Sequence, residues 1–131
     1  MCRAKYLGLA LLLALFGCGT GSSLNPQFQP QVANATDTFQ FQSTGVTNVS
    51  ETLTYTWQNT GIAANVDQAT TVSAGSAVVM IRDAAGTQVY SAGLQTNGSF
   101  QSATGQTGNW TVQVVLQGYS GTLNFRVQKR P

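Results

Sequence analysis

From Thr38 onward the large apolar residues fall on alternate positions, the period of strands that bury one face. In Thr38-Phe39-Gln40-Phe41-Gln42 both phenylalanines point one way and both glutamines the other. Glu51 to Gln58 repeats the alternation, with Leu53, Tyr55 and Trp57 opposite Thr52, Thr54 and Thr56. Asn65 to Val72 reads as a weaker strand, because Val66 and Val72 are its only large apolar residues. In Ser76 to Arg82, Ala77, Val79 and Ile81 oppose Val78 and Met80, so both faces are expected to be covered.

Turn chemistry separates these runs. Asp83-Ala84-Ala85-Gly86 suits a type I turn into Thr87 to Ser91, forming a hairpin with Val89 facing in. Thr96-Asn97-Gly98-Ser99 marks a tight turn before Phe100, and Gly105 to Gly108 a polar loop. Asn109 to Gln117 places Trp110, Val112, Val114 and Leu116 on one face. After Gly118-Tyr119-Ser120-Gly121, Leu123, Phe125 and Val127 resume the pattern, so a terminal hairpin turning at 118–121 is expected. About seven short strands without helical periodicity predict an all-β fold, an antiparallel β-sandwich over 37–131. Trp57, Trp110, Phe39, Phe41 and Phe125 can fill its core without disulfides. Gly108-Asn109-Trp110-Thr111-Val112 and Tyr119-Ser120-Gly121-Thr122-Leu123 resemble the last hairpin of small exported bacterial sandwiches, including immunoglobulin-like and pre-peptidase C-terminal-type domains. That resemblance implies a fold and carries no site.

Ahead of the domain the pattern changes. Met1 to Lys5 is positive through Arg3 and Lys5, and Tyr6 to Phe16 is an apolar run rich in Leu and Ala, as in a secretory signal. As a helix this run would be roughly 16 Å long, too short for a hydrocarbon core of about 30 Å. Leu15-Phe16-Gly17-Cys18 closes it and resembles the lipobox of bacterial lipoproteins: Leu, a small residue, Gly or Ala, then Cys. Phe16 stands where that family has a small or modest residue. The resemblance implies a signal peptide over 1–17 and cleavage before Cys18. It also implies a diacylglycerol thioether there and, in many bacteria, an amide-linked third chain such as palmitate. Two or three acyl chains anchor durably where one does not. Gly19 follows the cysteine where some Gram-negative lipoproteins carry an inner-membrane retention Asp, so in such a cell the outer membrane is favoured. Residues 18–36, with Gly21-Ser22-Ser23, Asn25-Pro26 and Gln29-Pro30, read as a lipidated cysteine and flexible tether spanning roughly 20–25 Å.

Composition then narrows the function. Only 8% of residues are charged, so surface polarity must come from Thr, Gln, Asn and Ser, which suit strands better than helices. Beyond Cys18, Arg82, Arg126, Lys129 and Arg130 balance Asp37, Glu51, Asp67 and Asp83, leaving zero side-chain charge. The only basic cluster is Arg126, Lys129 and Arg130 at the C-terminal end, which argues against nucleic acid. The chain has no histidine, which rules out Ser-His-Asp triads, Cys-His pairs and His-ligated metals. Cys18, the single mature thiol, is expected to be alkylated.

The chemistry left over is a Ser-Lys dyad through Lys129 or a carboxylate pair. Lys129 lies too near the terminus for desolvation. Asp37 at a domain edge, Asp83 opening a turn and Glu51 beginning a strand each read as structural. Asp67 reads as a water-facing residue on an edge. Calcium would suit Asp67 and Asp83, but no Asp-rich ligand spacing accompanies them. The expectation is therefore a non-catalytic, cofactor-free envelope lipoprotein that docks onto a protein or wall component. The alternative is a cell-surface carbohydrate-binding module using Tyr119, Tyr90 and Trp110. Tyr119, in a Gly-flanked turn, reads as the most exposed of the three, while Trp110 and Trp57 fit the inward pattern. Docking requires an apolar or uncharged edge, for which Asn65 to Val72 is the candidate, whereas sugar stacking requires coplanar exposed aromatics.

Overall fold

The computed structural model describes residues 23–25 and 27–131. The expected signal segment and Cys18 lie outside them. Among the described residues seven strands form one antiparallel sheet: β1 (Gln31–Ala35), β2 (Thr38–Asn59), β3 (Ala64–Gln68), β4 (Thr71–Arg82), β5 (Gln88–Gly93), β6 (Gly98–Gln101) and β7 (Gly108–Lys129). The expected all-β antiparallel class is the observed one, and the sheet does not close into a barrel.

Its sandwich-like shape arises by folding one sheet rather than facing two. β2 pairs with β7 from Thr38↔Gln128 to Asn59↔Gly108. On the other side of β7, β3 runs from Ala64↔Lys129 to Gln68↔Phe125, and β4 continues the same direction from Thr71↔Thr122 to Arg82↔Thr111. Three long backbone runs therefore lie side by side, and all three crease at one level. The register slips at Ser43/Val46, Val46/Val49 and Val49/Glu51 in β2, and at Val72/Ala74 and Ala74/Ser76 in β4. Such bulges bend and twist a strand locally. Between β3 and β4, Ala69 N–H donates to Asn124 O (2.9 Å), and the Thr70 hydroxyl both donates to that carbonyl (3.0 Å) and accepts from Asn124 N–H (2.9 Å).

The crease gives two layers. One holds β1, the first half of β2, the second half of β7, β3 and β6; the other holds the second half of β2, the first half of β7, β4 and β5. At the end away from the crease the halves of β2 meet again: Asp37 N–H donates to Gln58 O (2.9 Å), and Lys129 N–H to Asp37 O (3.0 Å). Between the layers Phe39, Phe41, Tyr55 and Phe125 cluster, with the Phe41 and Phe125 rings 5.5 Å apart and stacked. Trp57 and Trp110, cross-strand neighbours, meet edge to face at 5.9 Å. Ala77, Val79 and Ile81 face this core, as alternation predicts, while Val78 and Met80 are half-buried on the outward face.

Three expectations change. The terminal hairpin does not exist: residues 118–121 lie inside the single strand β7, where they form its share of the crease. Glycine serves turns and bulges alike, so the same residues fit either reading. A side chain on Gly75 would strike the carbonyls of Gln117 and Gly118, and one on Gly121 that of Thr71. Second, Leu24, Phe28 and Gln31–Ala35, expected in the tether, belong to the fold. Leu24 is wholly buried, and β1 is an edge strand whose five residues are all exposed, which hides it from any apolar periodicity. Third, Asn65 to Val72 is not a single edge strand. It spans the break between β3 and β4, and β3 is paired on both sides.

The crease yields two stability predictions. Gly121→Ala, at φ 145° against the Thr71 carbonyl, should cost more than Gly45→Ala, at φ 63° in open space, which should cost about 1 kcal/mol. Denaturant midpoints at unchanged m-value would show the order. Tyr119 is wholly buried and donates its hydroxyl to Thr71 O at 2.6 Å. Burial pushes its phenol up to about 12, so the folded state keeps a proton that the unfolded chain loses near pH 10. That contribution is complete below pH 10 and disappears as pH rises toward 12. Tyr119→Phe should lose about 1–3 kcal/mol at neutral pH by orphaning the Thr71 carbonyl. It should also flatten the alkaline fall in stability relative to wild type.

Candidate functional site: the polar outer face

The aromatics proposed for sugar stacking do not form a platform. Trp110 is wholly buried with its indole N–H donating to Gln106 O at 2.7 Å. Tyr119 is buried at the crease. Tyr90 is half-buried against the core and donates to Gln68 Oε1 at 2.6 Å, while the amide of buried Gln68 donates to Thr96 O at 2.6 Å. Trp110 and Tyr119 are thus taken up by the core, and the Tyr90 hydroxyl is engaged by Gln68.

The opposite surface of the β1-containing layer is where polar groups gather. Because Phe39, Phe41, Phe125, Val127 and Val66 point inward, their alternates point out. Strand register lines these up in rows: Gln31, Gln42 and Asn124; then Ala33, Gln40, Arg126, Asp67 and Ser99; then Thr38, Gln128, Asn65 and Gln101. Open hollows lie on this face. One of them, about 510 Å³, is bounded by Gln40, Asp67, Gln68, Ser99, Asn124 and Arg126 among others.

One ion pair sits at its centre. Arg126 Nη2 donates to Asp67 Oδ2 at 3.2 Å, and the Ser99 hydroxyl to Asp67 Oδ1 at 2.7 Å. The Ser99 hydrogen bond first, and then Arg126, hold the Asp67 carboxyl below its ordinary value. Asp67 was expected on a free edge; its strand is internal, and it faces water from the sheet's surface instead. The surrounding amides present donors and acceptors on planar groups.

The remaining carboxylates are engaged elsewhere. Asp83 accepts backbone N–H bonds from Gln106 (2.9 Å), Thr87 (2.8 Å) and Ala85 (3.0 Å), and these hold its pKa down. Asp37 accepts from Thr60 N–H (2.8 Å) and lies 3.6 Å from Lys129 Nζ; its pKa is lowered chiefly by the Thr60 N–H. Lys129 thus clamps the chain end rather than serving a nucleophile. Glu51 accepts Leu24 N–H at 2.9 Å. Among the described residues no three acidic side chains gather as a metal site requires, and Asp67 and Asp83 share no ligand set.

Sequence reasoning identified Gln40 and Gln42 as outward but could not align them with Asn124, Arg126 and Asp67. Those residues come from separate strands whose register is tertiary. No protein-family model matches the chain, and no curated protein matches it.

Arg126 and Asp67 are about half and one-third exposed, so Arg126→Ala should shift the unfolding midpoint by less than about 1 kcal/mol. Asp83→Asn behaves differently. The lowered Asp83 pKa contributes stability above the ordinary carboxylate value of 3.8 that is lost as pH falls through it. The variant should be less stable at pH 7 and show a shallower acid fall in thermal scans from pH 7 to 2.

Proposed function

We propose that this protein is a non-catalytic lipoprotein of the bacterial envelope, anchored by lipid on Cys18, that docks a polar extracytoplasmic protein or wall component through the outer face of its β1-containing layer. The observation that carries the docking part is the row Gln40–Arg126–Asp67–Ser99 with its flanking amides, a contiguous surface holding one internally paired charge couple. Such a face costs little to desolvate when a partner supplies matching donors and acceptors. The anchoring part is supported by the charged start, the short apolar run and Leu15-Phe16-Gly17-Cys18.

A glycan remains the second reading, favoured by the 510 Å³ hollow lined with Gln, Asn, Asp and Arg side chains. In that case hydroxyls would be read chiefly by hydrogen bonds, since the Trp110 and Tyr119 rings are in the core.

Protein extracted from membranes should carry a mass excess of two or three acyl chains, and Cys18→Ser should move it to the soluble fraction. An unmodified, soluble wild type would overturn the anchor. For the face, Gln40→Ala combined with Arg126→Ala should weaken binding to solubilised envelope proteins by about tenfold or more, with folding intact. Binding to purified wall polysaccharide instead would select the glycan reading, and undiminished binding to both would remove this face as the site.

A further inference from the structure

The chain enters the fold at the crease. Leu24 is wholly buried, its N–H held by Glu51; Phe28 N–H donates to Leu24 O at 2.8 Å, and the Ser43 hydroxyl to Phe28 O at 3.0 Å. Glu51 and Ser43 bracket the bulged stretch of β2. From Cys18 to Leu24 is six residue steps, which at full extension span at most about 20–22 Å. The tether is therefore far shorter than composition suggests. The opposite end, with the 59–64 and 102–108 loops, lies about 26 Å farther, the rise of the eight steps from Glu51 to Asn59.

Charge is distributed along the same axis. The exposed crease-end residues Thr44, Thr47, Asn48, Ser50, Ser73 and Gln117 are uncharged, and Glu51 is occupied by Leu24. Asp37, Lys129, Arg130, Asp83 and Arg82 cluster at the far end, while Asp67 and Arg126 sit at mid-height on the polar face. Glu51 is thus the one charge placed at this end, half-buried and already bonded to a backbone N–H, so the end can approach headgroups with little stripping of water from charge.

We propose that the crease end rests against the lipid headgroups, with the strands standing along the membrane normal and the far-end loops pointing away. This rests on the lipid-anchored reading. The orientation is imposed by where Leu24 docks, and it turns the rows of the polar face sideways, so that a partner is met laterally.

The mature chain has no thiol besides the alkylated Cys18, so an introduced cysteine labels cleanly. Thr47→Cys at the crease and Ile62→Cys at the far end, where Ile62 is 55% exposed, each take a fluorophore. The lipidated proteins are reconstituted into phosphatidylcholine vesicles containing headgroup spin-labelled lipid. Quenching at position 47 should exceed that at 62 several-fold, and releasing the segment by Leu24→Ala with Glu51→Ala should shrink the difference. Equal or reversed quenching in protein of confirmed acyl mass overturns the orientation alone, as does a difference unchanged by releasing the segment. Protein that lacks acyl mass and stays off the vesicles overturns the anchor and the orientation together.

Discussion

The shared crease is the constraint on which the rest of this molecule depends. A flat seven-stranded sheet would leave both faces wet. Bending β2, β7 and the β3–β4 run at one level brings two halves of the same sheet face to face around Phe39, Phe41, Tyr55, Phe125 and the Trp57–Trp110 pair. The bend concentrates positive φ at Gly45, Asn48, Gly75, Gly118 and Gly121. Tyr119 locks it, linking β7 to the start of β4 through the Thr71 carbonyl.

Folding the sheet also sets what each surface can do. Trp57, Trp110, Tyr119, Phe39, Phe41 and Phe125 are consumed in the space between the layers. The outer face of the β1-containing layer inherits the polar alternates of five strands. With so few charges in the chain, that face becomes a field of amides around a single Arg–Asp couple. Of the other charged groups, Asp37, Lys129 and Asp83 hold loops and strand ends together at the far end, and Glu51 holds Leu24 at the crease.

The N-terminal segment connects the fold to its setting. Leu24 and Phe28 cover the crease, and β1 adds an edge, so the domain begins almost immediately after the expected lipid site. A composition rich in Pro, Ser, Gln and Asn reads as a free linker. An edge strand that needs only backbone pairing, preceded by two apolar plugs, has the same composition.

The sequence by itself determined the strand class, most strand positions, the inward aromatics and the exclusion of histidine chemistry, because alternation and composition are properties of single segments. It also carried the lipoprotein resemblance at Cys18. Tertiary structure decided the rest. Whether Gly118–Gly121 turns or bends depends on whether β2 and β4 continue alongside β7, and whether Asp67 lies on an edge depends on β6 pairing beyond β3. Whether scattered Gln, Asn and Arg residues form one surface depends on register between strands far apart in the chain. Each of these is a relation between distant segments, and no local pattern encodes it.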